Sequence, residues 1–456
     1  MKRLQESKDP TDIATFAYVW AFSLISNLRT IDESTDPSHY NDSQANGPYN
    51  EFHYRTELAN ASFTQLVAPN VDTIYSNLYY DLEKQPVVIT VPDGIDRYFS
   101  LLFIDAYTNN FKYIGTRTTG TNGGTYLLTG PNWNGTVPDG MYQIKSPTDI
   151  GLIFGRTLIN GPEDLQKAIA VQQSIRGAAL DAYENNTLSV NIIDDPIAFY
   201  DKSVSGLPQY IPPTGANLFN ELAYYIAKNK PPANETSIVQ QFGSIGIVPN
   251  DQLNNKTETL FNETITKAIL QGITNGEKLI DAKYKTFGKI VNGWNIDTSK
   301  IGQYGDDYLF RSVLAKYGLW GNSPQEAVYP NTAIDGTGSP LNGAGNNYVI
   351  HFGKGELPPV KEGGFWSITV YNKDRLLHDN PISRYVINDR TVGLKYASDG
   401  SLDLYLQNVK PTDTQTEANW FPVPDGPFSL TMRVYIPKEA VLDGQWSPPQ
   451  VQATSK

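Results

Sequence analysis

The chain has no cysteine, and only four histidines and three methionines among 456 residues. Without cysteine there are no disulfides, no thiolate zinc sites and no cysteine nucleophile. His39, His53, His351 and His378 stand at no metal-ligand spacing, so neither a bound transition metal nor a cofactor is expected. The G-x-S-x-G elbow, the G-x-x-x-x-G-K-S/T phosphate loop and the H-E-x-x-H helix are all missing. Gly336-Thr337-Gly338-Ser339-Pro340 lacks the flanking strand and helix of a dinucleotide loop, and its proline marks a turn. Basic residues are also in deficit, with 36 Lys and Arg against 48 Asp and Glu and a net charge of −12. That balance argues against nucleic acid, which needs Lys and Arg to displace counterions, and against an anionic membrane surface. Moderate acidity of this kind keeps a large soluble protein apart from its copies. No stretch approaches the roughly 20 apolar residues of a membrane span.

What the chain does have is aromatic residues and turn-formers: 28 Tyr, 18 Phe and 7 Trp with 37 Gly and 30 Pro. Aromatics suit pleated surfaces and Gly and Pro punctuate turns, so a mainly β, multi-domain protein is expected. Residues 1–31 read as an N-terminal helix, with Asp9 as cap and Pro10 in the first turn. Its apolar run, Ile13 to Phe22, follows Lys2, Arg3 and Lys8 as a signal segment would. Acidic Glu6, Asp9 and Asp12 interrupt the basic stretch and no small-residue cleavage site follows. It is expected to be a helix of the mature protein, with the compartment left unknown.

Residues 32–159 carry short strand-like segments, among them Pro86 to Val91, Tyr98 to Ala106, Phe111 to Thr116 and Ile150 to Ile159. Residues 160–319 turn mainly helical. Leu165, Ile169, Gln172, Ile175, Ala179 and Tyr183 fall at helical spacing, and further helices are expected over Asn217–Ala227, Asp251–Tyr284 and Asp306–Tyr317. Proline-rich loops such as Leu207–Pro213 separate them. Residues 320–456 return to strands: Leu402, Leu404 and Leu406 alternate with polar residues, as do Phe428, Leu430, Met432, Val434 and Ile436.

The two β regions resemble each other. Tyr98-Phe99-Ser100 is similar to Phe365-Trp366-Ser367, and Asn132-Trp133 with Val137-Pro138-Asp139-Gly140 is similar to Asn419-Trp420 with Val423-Pro424-Asp425-Gly426. Two related modules are expected, with Trp133 and Trp420 at matching places and Gly140 and Gly426 at positive φ.

Pro69-Asn70-Val71-Asp72-Thr73-Ile74-Tyr75-Ser76 resembles the signature of the domain of unknown function 1254. Phe365 to Tyr371, Asn380-Pro381, Asp389-Arg390-Thr391, Asp399-Gly400-Ser401 and Asn419-Trp420-Phe421-Pro422 resemble its usual partner, the domain of unknown function 1214. The resemblance implies an N-terminal immunoglobulin-like β-sandwich, a helical middle segment and a C-terminal jelly-roll, with assembly into homo-oligomers. It carries over no catalytic residue. Many relatives are exported, whereas this chain starts almost at its first helix.

The chemistry-bearing candidates are Asn70, Asp72, Thr73, Tyr75, Asp105 and Arg156. An amide beside a carboxylate can bind a sugar hydroxyl or tie down backbone amides. Arg97, Arg156, Arg311 and Arg433 are the expected buried arginines, one of them facing Asp72 or Asp105. The leading reading is a non-catalytic binding or structural protein with a carbohydrate or protein ligand. A hydrolase or lyase with an Asp-centred site is the alternative.

Overall fold

Asp9 stops the chain from fraying where the first long helix begins. Its carboxylate accepts from the N–H groups of Thr11 at 2.9 Å and Asp12 at 3.1 Å, with Pro10 at the first helical position. The computed structural model describes residues 1–41, 44–63, 68–187, 217–253 and 261–454. Its helices are α1 (Lys2–Gln5), α2 (Pro10–Thr35), α3 (Leu165–Ser174), α4 (Leu180–Asn185), α5 (Asn217–Lys228), α6 (Thr236–Gly243), α7 (Glu263–Tyr284), α8 (Tyr308–Tyr317), α9 (Thr414–Ala418) and α10 (Glu439–Leu442). Because α2 is apolar on every side, it can be stable only when surrounded. Residues Ile13 to Leu28 are buried, under α5 to α8 on one side and a β-sheet on the other. Close approach of α7 depends on two glycines, since a Cβ on Gly272 would sit 2.5 Å from Ala14 Cβ and one on Gly276 2.4 Å from Tyr18.

Strands Arg176–Ala179, Lys289–Val291 and Trp294–Ile296 interrupt the segment expected to be mainly helical, residues 160–319, and several helix bounds differ from the expected ones. The helical spacing running to Tyr183 is broken after Ser174, where Arg176-Gly177-Ala178-Ala179 forms a strand. Small residues let this segment lie against the sheet: a Cβ on Gly177 would meet Leu78 at 2.2 Å. Its backbone groups pair with an open sheet edge, and that pairing overrides helical spacing. The long helix starts at Glu263 rather than Asp251, capped by the Asn262 side chain, which accepts from Ile265 N–H at 2.9 Å. Residues 254–260 and the loop Leu207–Pro213 lie outside the described residues.

The strands fall into two sets. The first comprises β1 (His53–Arg55), β2 (Thr73–Asp81), β3 (Val87–Val91), β4 (Phe99–Asp105), β5 (Asn110–Gly115), β6 (Gly124–Thr129), β7 (Met141–Lys145), β8 (Ile150–Leu158) and β9 (Arg176–Ala179). The second comprises β10 (Lys289–Val291), β11 (Trp294–Ile296), β12 (Ala327–Val328), β13 (Asn331–Thr332), β14 (Asn347–Phe352), β15 (Val360–Asn372), β16 (Val386–Asn388), β17 (Leu402–Gln407), β18 (Trp420–Pro422), β19 (Phe428–Pro437) and β20 (Val451–Thr454).

Both sets fold the same way. In the first, sheet order β1-β2-β8-β4-β5 faces β7-β6-β3-β9; in the second, β10-β11-β13-β19-β15-β16 faces β18-β17-β14-β20, with β12 beside β19. In both, one pair, β6 with β7 and β17 with β18, is parallel where its neighbours are antiparallel. Register makes the correspondence residue by residue. Ser100 lies opposite Arg156 as Ser367 lies opposite Arg433, and Thr73 opposite Leu158 as Ala327 opposite Tyr435. Alternating apolar residues of each pair of sheets form the two cores, around Leu101, Phe103 and Ile153 in one and Ile368, Val370 and Met432 in the other.

Tyr98-Phe99 and Phe365-Trp366 therefore mark corresponding places, as expected. The tryptophans do not. Trp133 lies in the turn between β6 and β7, whereas Trp420 is the first residue of β18 and fully buried. Gly140 precedes β7 at φ +80°, and Gly426 follows β18 at φ +151°, so the two tetrapeptides serve different connections. Their likeness is turn chemistry alone, because any strand end needing a bend favours Pro-Asp-Gly.

Candidate functional site

The two β units meet through equivalent residues. Tyr98, Leu158, Ala327, Phe365, Tyr435 and Ile436 form one apolar cluster, in which the Phe365 and Tyr435 rings stack at 4.3 Å and Tyr98 stands edge-on to both. Around it, each unit hands a carboxylate to the other. Asp72, immediately before β2, is fully buried and accepts from Ser367 Oγ at 2.5 Å, Asn388 Nδ2 at 3.2 Å and Arg390 Nη2 at 3.3 Å. Glu326, immediately before β12, accepts from Tyr98 OH at 2.7 Å and Arg117 Nε at 2.5 Å. The Asp72 carbonyl accepts from Ile159 N–H at 2.9 Å, and the Glu326 carbonyl from Ile436 N–H at 2.8 Å.

Asp72 is thus a clamp between units. Its arginine is Arg390, not any of Arg97, Arg156, Arg311 or Arg433, though those four are indeed buried. Spacing along the chain could not show this, since Arg390 lies in the other unit. Asn70 also spans the junction: its Nδ2 donates to Thr73 Oγ1 at 3.0 Å and Tyr435 OH at 3.1 Å, while its Oδ1 receives Asp72 N–H at 2.8 Å. Alternation with Met432 and Val434 puts Arg433 on the outer stripe of β19; the other unit covers that stripe, and Arg433 donates to Thr369 Oγ1, Tyr371 OH and the Ala68 carbonyl.

Beside the clamp, Tyr75 and Arg156 sit opposite each other on one sheet face. Tyr75 and Phe154 stack at 5.1 Å, and the Trp320 ring lies 5.5 Å from Phe154. All three rings are half-buried, as is Tyr329. The Arg156 guanidinium lies beneath them, 4.5 Å from the Phe154 centroid, donating to Asn322 Oδ1 at 3.0 Å and the Trp320 carbonyl at 3.3 Å. Trp320 itself holds φ +61°, a conformation that costs a bulky residue roughly 1–2 kcal/mol. The surrounding structure enforces it, for Trp320 Nε1 donates to Asn27 Oδ1 at 2.8 Å. Asn27 in turn donates to the Asp105 carbonyl at 3.0 Å. Asp105 therefore lies behind the shelf rather than on it. Its carboxylate accepts from Asn109 N–H at 2.8 Å and closes the β4–β5 turn, and burial pushes its pKa up to about 6 against those hydrogen bonds.

On another side of the junction a cleft of about 350 Å³ is lined by Arg97, Tyr98, Thr116, Phe365, Asp389 and Arg390, among others. Burial and the nearby Asp72 charge raise the Asp389 pKa to about 6, against the pull of Arg390, to which it is tightly paired. Arg97 is held by Asp164 at 2.6 Å. Sequence reasoning missed Trp320, Asn322, Phe154 and Asp389, and only the Asp389-Arg390-Thr391 block pointed towards one of them. His351 on β14 faces outward, and its Nδ1 lies 2.6 Å from Asp403 on the neighbouring strand. Among the described residues no group of three His, Asp or Glu gathers as a metal site, and no helix is long and apolar enough to cross a membrane.

Fold and junction define a β-rich, two-unit protein whose polar and aromatic groups converge where the duplicated units interlock. Residues 49–179 match the protein of unknown function (DUF1254), and residues 326–439 match the protein of unknown function (DUF1214). The chain belongs to the family that combines these two domains, and the matched spans contain Asp72 and Glu326 respectively. A crystal structure of a Vibrio parahaemolyticus protein is similar over 98% of this chain and 100% of its own, with a TM-score of 0.73 at 23% identity, and so shares the fold. An uncharacterised Burkholderia cenocepacia protein is similar over 99% of this chain and 91% of its own, at a TM-score of 0.45 and 12% identity. No functionally curated protein matches the sequence.

Proposed function

We propose that this protein binds a small, ring-bearing polar ligand on the shelf of Tyr75, Phe154 and Trp320, and does so without catalysis. The observation that carries this reading is Trp320 at φ +61°, held by Asn27 so that its ring leans at 54° against the Phe154 end of the Tyr75–Phe154 stack while all three residues stay partly exposed. Strained backbone that the surroundings enforce is a mark of binding sites. Flat rings beside the Asn322 amide offer the stacking and hydrogen bonding that a sugar or aromatic ligand takes up. The test is titration of a saccharide panel and simple aromatic acids, followed by saturation-transfer NMR. Trp320→Ala is expected to abolish binding while leaving the fold intact, and binding unchanged in that variant would refute the shelf.

A hydrolase or lyase is the second reading, favoured by Asp389, whose carboxyl stays protonated to about pH 6 in the 350 Å³ cleft beside Asp72. A raised carboxyl in a cleft suits a general acid. Hydrolysis of a glycoside panel that vanishes in Asp389→Asn would establish it. We also read both β units as one sandwich type, so that the immunoglobulin-like and jelly-roll descriptions meet in a single strand order. Homo-oligomers, implied by the family resemblance, would appear in light scattering as a multiple of the 50.6 kDa chain.

A further inference from the structure

We infer that the shelf is an anion site: its ligand carries a carboxylate, or an equivalent small anionic head, which Arg156 and Arg55 hold beside the aromatic rings. This rests on the shelf reading above and specifies the charge of what binds there.

Three observations lead to it. The first is a row across the sheet. Arg55 pairs with Tyr75, Tyr75 with Arg156, and Arg156 with Ser100, so both arginines flank Tyr75 on one face, their backbones roughly 10 Å apart across two strand spacings. Arg55 lies over the Phe63 ring at 4.3 Å, as Arg156 lies over Phe154.

The second is the missing counter-charge. Buried charges are normally paired, because an isolated one loses its hydration. Five other arginines follow the rule: Arg29 has Glu221, Arg97 has Asp164, Arg117 has Glu326, Arg311 has Glu235 and Arg390 has Asp72. Arg156 is 6% exposed, yet among the described residues its hydrogen bonds go to a neutral amide and a backbone carbonyl, with no carboxylate at ion-pair distance. In an acidic protein, two arginines flanking one tyrosine with no carboxylate at ion-pair distance among the described residues, Glu57 acting on Arg55 only from farther off, are a departure that composition does not explain.

The third comes from the duplication, which supplies a control inside the same chain. Arg433 is the counterpart of Arg156 and also has no carboxylate at ion-pair distance among the described residues, but it is sealed: Tyr371, 1% exposed, and the Ala68 carbonyl close over it. Ala68 stands four residues ahead of Asp72, as Asn322 does ahead of Glu326, so each arginine also ties down the other unit. The rows differ at their outer end. Asn295 pairs with Asn331, and continuing that antiparallel register sets Asp297 opposite Tyr329, where the first unit sets Arg55 opposite Tyr75. One row thus sets an acid beside a sealed cation, and the other sets two cations beside partly exposed rings. A purely structural tie would need neither the second cation nor the opening.

Matched probe pairs test this: benzoate against benzamide, and glucuronate against glucose, each measured by saturation-transfer NMR and calorimetry. The acid of at least one pair is expected to bind the wild-type protein tenfold or more tighter than its neutral partner. Arg156→Met is expected to lose about 10- to 100-fold of that affinity, the range of a charge-assisted hydrogen bond. A melting curve of the ligand-free protein adds a readout that needs no ligand. Arg156→Met should melt at or above the wild-type temperature, because it removes an uncompensated charge, whereas Arg117→Met should melt lower because it strands Glu326. If the neutral probes bind as tightly as the acids, the anion inference fails and the shelf stands. If neither kind binds, both fail. An Arg156→Met melting loss as large as that of Arg117→Met makes Arg156 a structural tie and overturns the inference.

Discussion

Asp72 and Glu326 occupy the same position in two copies of one strand order, and each is bound by the other copy's arginine. The reciprocity extends to the backbone, where the two carbonyls receive Ile159 and Ile436 N–H groups in the same way. Arg117 and Arg390 correspond as well: Thr116 N–H donates to the Phe99 carbonyl as Asp389 N–H does to the Trp366 carbonyl. The clamp thus ties the two units together through buried side chains and backbone on both sides.

Asp72→Ala should destabilise the protein by about 3–5 kcal/mol, because Ser367, Asn388 and Arg390 lose the buried carboxylate they share and Arg390 keeps only Asp389. The double variant Asp72→Ala with Arg390→Met should lose less than the two single losses together, since the two side chains act on each other directly. Urea unfolding of the four proteins of the cycle measures the coupling, and simple additivity would show that the pair does not clamp.

The units should not survive separation. A fragment of residues 320–456 would expose Phe365 and Tyr435, each nearly fully buried in the intact chain, together with Arg433. It is expected to aggregate or to give a poorly dispersed amide NMR spectrum. A well-dispersed spectrum from that fragment alone would show that the junction is dispensable for folding.

At the helical side, Gly272→Val should push α7 away from α2. A Cβ there would stand 2.5 Å from Ala14 Cβ, with backbone close behind, so the neighbour has little room to yield. Overpacking of this kind destabilises by about 1–3 kcal/mol, against at most about 1 kcal/mol regained in helix propensity. Exposed Gly243, with nothing near its Cβ position, supplies the control.

Stability should fall as pH rises from about 4 to 7. Burial raises the Asp32 carboxyl to about 7, with Glu221 adding like charge and the Tyr225 hydroxyl and Arg29 opposing. Asp105 and Asp389 rise to about 6. In this window the folded protein keeps protons that the unfolded chain has released, so the native state binds more protons and loses ground as they leave. The contribution is complete below the unfolded carboxyl range and gone above the folded values. Melting temperatures at pH 5 and pH 8 check the sign, and Asp32→Asn should flatten the difference.

The sequence by itself determined the local elements and the alternation behind both cores. Leu402, Leu404 and Leu406 are fully buried, as period-two spacing requires, and Asp9-Pro10 starts α2 because both residues act through bonds within a single turn. It also carried the duplication, in Tyr98-Phe99-Ser100 and Phe365-Trp366-Ser367, since side chains that fill equivalent core sites must be alike in size and polarity. What only the tertiary structure decided was which polar residues meet. Asp72 faces Arg390 and Arg156 faces Trp320 and Asn322 across more than a hundred residues of chain. Burial, too, changed meaning there: Arg433 alternates onto an outer stripe, and that stripe is interior only because a second unit lies on it. Pattern along a strand fixes which face a side chain takes, but contact between faces depends on how whole sheets pack, and that information is spread over both units at once.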